Sequence, residues 1–221
     1  MAPGANYSLS PDSVNHFSKV IDETEMVVMQ AEIPYSTIKS IALLAQKKGK
    51  KVLFNPAPAC RIDEELMKAI DILVVNEVEA AFVSGIKYTG DNLEAIAGAL
   101  IVAGARNVVI TLGSHGVYMK NAQTSVRLPS YKVNAIDTIA AGDTFCGALA
   151  VMCAQKEIDT EALKFANAAA AIAVTRSGAQ PSIPTLEEVN CFILKNELPY
   201  RSTFKFNEHE NLLKPTIYSI R

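Results

Sequence analysis

Short unbroken apolar runs, each followed by a stretch with helical spacing, constrain this chain more than anything else in it. "MVVMQ" (26–30) reads as a buried strand, and "YSTIKSIALLAQKKGK" (35–50) as a helix ending in basic residues and a glycine. "KVLFNPAP" (51–58) is a strand running into a proline-stopped turn. "DEELMKAI" (63–70) is helical, "DILVVN" (71–76) a strand, "NLEAIAGALIVAGA" (92–105) a helix and "NVVITLG" (107–113) a strand. Strands without polar alternation are covered on both faces, so the pattern predicts a mostly parallel sheet with helices on either side, a three-layer α/β/α architecture. Its crossovers should be right-handed, and ligands should sit beyond the carboxyl ends of the strands.

Further along, "GVYMK" and "RLPSYKV" (127–133) read as two more strands, followed by helices over 142–156 and 161–176. The second is packed with alanine, which lets another element approach closely. "RSGAQPSIP" (176–184) is a loop by its Gly, Ser and Pro content. "TLEEVNCFILK" (185–195) is a helix with a threonine N-cap and a glutamate three positions on. Beyond Lys195 the composition turns polar and aperiodic, which marks residues 196–221 as an extension to a domain spanning 1–195.

With 221 residues, 49% of them hydrophobic and 20% charged, the chain can bury one sizeable core. Its net charge of −2 leaves no electrostatic footprint for nucleic acid or an anionic membrane. No apolar run nears the roughly 20 residues of a membrane span, and the N-terminus lacks the basic-then-apolar build of a secretory signal. The four cysteines, Cys60, Cys146, Cys153 and Cys191, form no C-x-x-C pair, so neither a zinc site nor a disulfide framework is indicated. These features together predict a soluble cytoplasmic protein.

Polar residues gather at the expected strand ends: Glu32, Asn55, Asn76, Glu79, Thr111 and Gly113. The segment "NAIDTIAAGDTFCGAL" (134–149) adds two acids, Asp137 and Asp143, around Ala140-Ala141-Gly142 at the entry to a helix. Phe145, Ala148, Leu149 and Met152 give that helix its apolar stripe. One reading is an ordinary helix start with an acid in its first turn. The other is a set of sterically bare N–H groups that suit phosphate oxygens, with Asp143 placed to take a proton from a hydroxyl. The chain contains neither the P-loop nor the dinucleotide glycine fingerprint. None of His16, His115 and His209 stands beside a nucleophile in a recognisable motif.

"DTIAAGDTFCGAL" resembles the signature of the ribokinase family of carbohydrate kinases. "PGAN" (3–6), "NPAPA" (55–59), "NEVE" (76–79), "TLGSHG" (111–116) and "RSGAQPSIP" (176–184) resemble its other segments in the same order, over about residues 2 to 190. The resemblance implies a Rossmann-like ribokinase fold and ATP-dependent transfer of phosphate to the 5-hydroxyl of D-ribose. Asp143 matches the family's catalytic base and sugar contact, with Ala140, Ala141 and Gly142 as its anion hole. Asn76 and Glu79 match the N-x-x-E motif that organises Mg²⁺ and phosphates, largely through water. Otherwise the pair reads as a helix N-cap and a first-turn acid. Thr111, Leu112, Gly113, Ser114, His115 and Gly116 match the nucleotide-binding turn, and Asn167 a residue beside the adenine. Without the resemblance these are a glycine turn and a polar helix position. Asp137, Ser182 and the carbonyls of Ile139, Ala173, Arg176 and Gly178 match a site for K⁺ or a similar monovalent cation. Glu32 matches an acid that reaches the sugar.

The family usually carries a further segment before "PGAN", holding the first strands of the sheet, a small β lid and a glycine-rich sugar motif. Here Met1 stands directly before Ala2-Pro3-Gly4. The match is therefore to an N-terminally truncated domain, with a sheet edge left open. The family's usual homodimer, often made through the lid, loses its customary contact. The alternatives to a ribose kinase are a non-catalytic nucleotide-binding remnant and a kinase for another sugar or nucleoside.

Overall fold

Six strands among the described residues hydrogen-bond in the order in which they occur along the chain. The computed structural model describes residues 4–14 and 18–197. The expected extension from 198 onward, Pro3 of "PGAN", His16 and His209 lie outside the described residues.

A 3-10 turn at Gly4–Ser8 and two short helices, α1 (Pro11–Val14) and α2 (Ser18–Asp22), precede β1 (Met26–Gln30). Then come α3 (Tyr35–Lys47), β2 (Lys51–Asn55), α4 (Glu64–Ala69), β3 (Ile72–Asn76), α5 (Glu77–Ser84), α6 (Leu93–Val102) and β4 (Asn107–Thr111). β5 (Val117–Asn121), β6 (Ser125–Leu128), α7 (Ala141–Cys153), α8 (Thr160–Ala173) and α9 (Leu186–Glu197) complete the order. β1 to β4 are parallel, whereas β5 and β6 return antiparallel.

From β1 to β4 each strand feeds its immediate neighbour through a helical crossover, whereas β5 and β6 follow as hairpin partners. Repeating one crossover hand in one direction puts every connecting helix on the same face. Accordingly Val52, Phe54, Leu73, Val75, Val108 and Ile110 pack into one core with residues of α3, α4 and α6. The alternate residues Leu53, Ile72, Val74 and Val109 point to the other face, where α7 and α8 cover them. Burial on both faces is why these strands carry no polar alternation.

The alanines of α8 do what close packing requires. Ala162 and Ala166 are fully buried with Phe145, Leu149 and Cys153 of α7, in one cluster against the sheet. Lys51, at the start of β2, donates to the carbonyls of Cys153 (3.0 Å) and Lys156 (2.7 Å), holding the far end of α7. That fixes the helix along its axis, with its N-terminus at the carboxyl end of the sheet. On the outer strand β1 the cover is incomplete, and Val28 is 46% exposed.

The last strand is shorter than its sequence suggests. β6 ends at Leu128, and "PSYKV" leaves the ladder. Pro129 has no N–H to donate, and its carbonyl accepts the side chain of Asn167 at 2.8 Å. α9 starts as expected, with Thr185 and Glu188 closing a reciprocal capping box at 3.3 and 2.7 Å. Among the described residues no helix is long and apolar enough to cross a membrane.

Candidate active site

Ala140 has φ 59°, the one positive φ among the described residues other than glycine. It is the N-cap of α7, and no side chain caps the helix there. A capping Ser, Thr, Asp or Asn would satisfy an N–H of the first turn. Here Ala141 donates to Thr138 at 3.3 Å, while neither Gly142 nor Asp143 has a backbone acceptor for its N–H among the described residues. Left-handed backbone at a residue bearing a Cβ costs roughly 1–2 kcal/mol. That strain is retained at a helix end whose free N–H groups and dipole favour an anion.

Asp143 lies in this first turn and opens onto a cleft of about 180 Å³. Gln30, Asn55, Asn76, Glu79, Thr111 and Gly142 line the same cleft, from the carboxyl ends of β1 to β4 and the start of α7. The alternation of the strands decides which side chains meet. Gln30 and Asn55 are register partners and face α7 together. Gln30 Nε2 donates to Asp143 Oδ1 at 2.7 Å and to Asn55 Oδ1 at 3.3 Å, and Asn55 Nδ2 donates to the Val74 carbonyl at 2.8 Å. Sequence reasoning passed over Gln30, which reads as the last residue of a strand; its partner in α7 is 113 positions away. Burial pushes the Cys146 thiol below Asp143 up to about 12, so it stays protonated.

Asn76 and Glu79 meet the cleft as the two halves of a capping box. Glu79 N–H donates to Asn76 Oδ1 at 2.8 Å, and Asn76 N–H to Glu79 Oε2 at 2.9 Å. The helix-cap reading of this pair is thus realised, and Glu79 still lines the cleft. Among the described residues no three His, Cys, Asp or Glu side chains converge on a metal position. A divalent ion here would need phosphate oxygens and water for most of its shell, as Mg²⁺ commonly does.

The turn after β4 is built by its glycines. Leu112 N–H donates to the Gly116 carbonyl at 2.8 Å around a 3-10 turn over Gly113–His115. Gly116 has φ +95°, and a Cβ there would lie 2.0 Å from the Leu128 carbonyl oxygen. Ser114 and His115 are exposed at the tip. Asn167, buried in α8, reaches Pro129 in the segment that Gly116 touches, so the two halves of the expected nucleotide site do adjoin.

Asp137 holds two loops together. One carboxylate oxygen accepts the Ile139 N–H at 2.9 Å, the other the Gly178 N–H at 3.1 Å. These two backbone donors hold its carboxyl below the usual carboxylate range. Ser182 is fully buried and donates to the Ala179 carbonyl at 2.6 Å, and the Ala173 carbonyl accepts the Arg176 N–H at 3.0 Å. The atoms named for the expected cation site are all oxygens, the ligand type a hard monovalent cation prefers. Glu32 is exposed in the turn after β1 and is not among the residues lining the cleft.

A wider cleft of about 850 Å³ opens at the opposite pole, among Lys51, Asp71, Arg106, Asn107 and Lys156. Three of its cations are engaged: Lys51 caps α7, Arg106 pairs with Asp71 at 2.7 Å and Lys156 with Asp159 at 2.8 Å. Convergent reactive groups are found at the smaller cleft.

Residues 1–186 match the model of the pfkB family carbohydrate kinases. Ribokinase of Staphylococcus aureus (strain COL) is 42% identical over 190 residues, covering 85% of this chain and 62% of that protein. The crystal structure of ribokinase from Thermotoga maritima superimposes with a TM-score of 0.77 at 39% identity, over 87% of this chain and 63% of that one. Arabidopsis thaliana ribokinase, solved with ribose and ATP, gives a TM-score of 0.76 at 28% identity, over 81% and 59%. The chain spans less than two thirds of the length of each of these relatives.

Proposed function

As the chain belongs to the pfkB family of carbohydrate kinases, we propose that it serves ATP-dependent phosphoryl transfer to D-ribose at the 5-hydroxyl, in the cytoplasm. One observation carries the reading: the uncapped N-terminus of α7 presents Asp143 and free N–H groups to a cleft that Asn76 and Glu79 also line. The names of the relatives support the substrate pair, since one is a ribokinase solved with both ribose and ATP.

In this reading Asp143 takes the proton from the sugar hydroxyl as its oxygen bonds to the γ-phosphorus. The bond from that phosphorus to the β–γ bridging oxygen breaks, and ADP leaves. Charge spreads over the equatorial oxygens of the phosphoryl group, where the anion hole at Ala140-Ala141-Gly142, with the N–H groups of Gly142 and Asp143 left free, would stabilise it. The turn from Thr111 to Gly116 and Asn167 would hold the nucleotide, and Glu32, which is exposed outside the lining of the cleft, would reach the sugar from the turn after β1. Mg²⁺ bound with ATP would neutralise phosphate charge, organised through water by Asn76 and Glu79. A K⁺ ion would be held by Asp137, Ser182 and the carbonyls of Ile139, Ala173, Arg176 and Gly178, steadying the loop that presents Gly142.

The test is ribose-dependent ADP production with Mg²⁺, with and without K⁺. Turnover that rises with K⁺ supports the whole reading. A folded sample that binds ATP but makes no ADP with ribose sends the test to other sugars and nucleosides, and silence across that panel leaves a nucleotide-binding module.

A further inference from the structure

The buried backbone dictates the polarity of the side-chain row that ends at Asp143. The Val74 carbonyl accepts only, so the Asn55 atom 2.8 Å from it is the amide nitrogen. Asn55 therefore turns its Oδ1 toward β1, and the atom of Gln30 at 3.3 Å must be the donor Nε2. One hydrogen of Nε2 serves Asn55, which leaves the other for Asp143 Oδ1 at 2.7 Å. Amide orientations are usually ambiguous. Here a main-chain carbonyl of β3 fixes both, and the chain of donors runs from there to the carboxylate.

We infer that Gln30 is the positioning residue of Asp143, holding one carboxylate oxygen from the sheet so that the other faces the substrate hydroxyl. This rests on Asp143 acting as the base. The donor sits at the carboxyl end of β1, opposite Asn55 in the ladder, so it moves with the sheet and not with α7. A helix presents a first-turn side chain with free rotation about its last torsion. The amide of Gln30 removes that freedom without bringing a charge that would pair with the carboxylate. Such control matters because catalysis by a positioned base depends on near-attack geometry.

The experiment compares wild type, Gln30→Leu and Asp143→Ala in steady-state kinetics, and follows the Gln30 side-chain amide by ¹⁵N NMR. Gln30→Leu should lower kcat roughly 10- to 100-fold, the scale expected of a misplaced reacting group, while the KM for ATP and the melting temperature hold. The Gln30 amide signal should move in Asp143→Ala. An unchanged kcat in Gln30→Leu, or a loss confined to KM, overturns the inference, and so does an amide signal indifferent to Asp143→Ala. Failure of the kinase reading looks different. Wild type would then show no sugar-dependent turnover, or Asp143→Ala would retain it, whatever the amide signal does.

Discussion

The carboxylate of Asp137 accepts the N–H of Gly178 across 41 positions of sequence, and with its other oxygen the N–H of Ile139. The loop that leads into α7 is thereby tied to the turn after α8. The bond is made by the charged form, and these donors depress the carboxyl in the folded state. A group depressed in this way stabilises the fold fully above its unfolded value, near ~3.9, and loses that contribution as pH falls through its folded value. Asp137→Ala should therefore melt below wild type at neutral pH, with the gap closing as the pH is taken below about 4. Melting temperatures of both proteins across that range check it. A gap that stays constant would mean that the loops are not held by the carboxylate's charge.

Two glycines of one turn should respond very differently to a single methyl group. Gly116 has φ +95°, and its added Cβ would meet the Leu128 oxygen at 2.0 Å and Pro129 carbonyl carbon at 2.6 Å. Gly113 has φ +53° and nothing within 4 Å. Gly113→Ala should cost about 1–2 kcal/mol, the strain of left-handed backbone alone. Gly116→Ala adds a backbone displacement worth about 1–3 kcal/mol, since the obstructing atoms are main chain. Urea unfolding of the two variants measures the difference. Equal costs would show that the segment after β6 yields freely.

The strands were legible because burial on both faces leaves an unbroken apolar run, as in "ILVV" of β3. The entry to α7 was legible because its bare residues and acid stand next to one another in sequence. Gln30 was not, since its partners come from the pairing register of β2 and from a helix far along the chain. The early end of β6 was also hidden: "RLPSYKV" has strand composition, yet Pro129 breaks the ladder and Asn167 takes its carbonyl. Local pattern reports what a residue can form, whereas these two outcomes depend on which distant group arrives.

Asp143→Ala separates chemistry from binding. The carboxylate is exposed at the mouth of the cleft and packs against no core cluster, so its removal should leave the fold in place. The N–H groups of Gly142 and residue 143 persist, so ATP affinity should stay within severalfold of wild type. Sugar-dependent ADP production should fall by about 10²–10⁴, the usual share of a positioned general base. Calorimetric ATP binding and coupled-assay turnover, on the same preparation, check both halves. Retained turnover would reject Asp143 as the base.

Glu79 has two jobs that one substitution can pull apart. Its carboxylate closes the capping box with Asn76 and also lines the cleft. Gln can accept the same Asn76 N–H, as capping boxes allow, so Glu79→Gln should keep the cap. The stability cost is then confined to the lost charge at the start of α5, about 0.3–1 kcal/mol. Glu79→Ala loses the returning bond as well and should cost about 1 kcal/mol more. If Glu79 organises Mg²⁺ through water, both variants should need more Mg²⁺ for half-maximal turnover, by similar factors despite their different stabilities. A Mg²⁺ titration beside a denaturation curve distinguishes the roles. A Mg²⁺ requirement that tracks stability, with Gln near wild type, would leave Glu79 as a helix cap and nothing more.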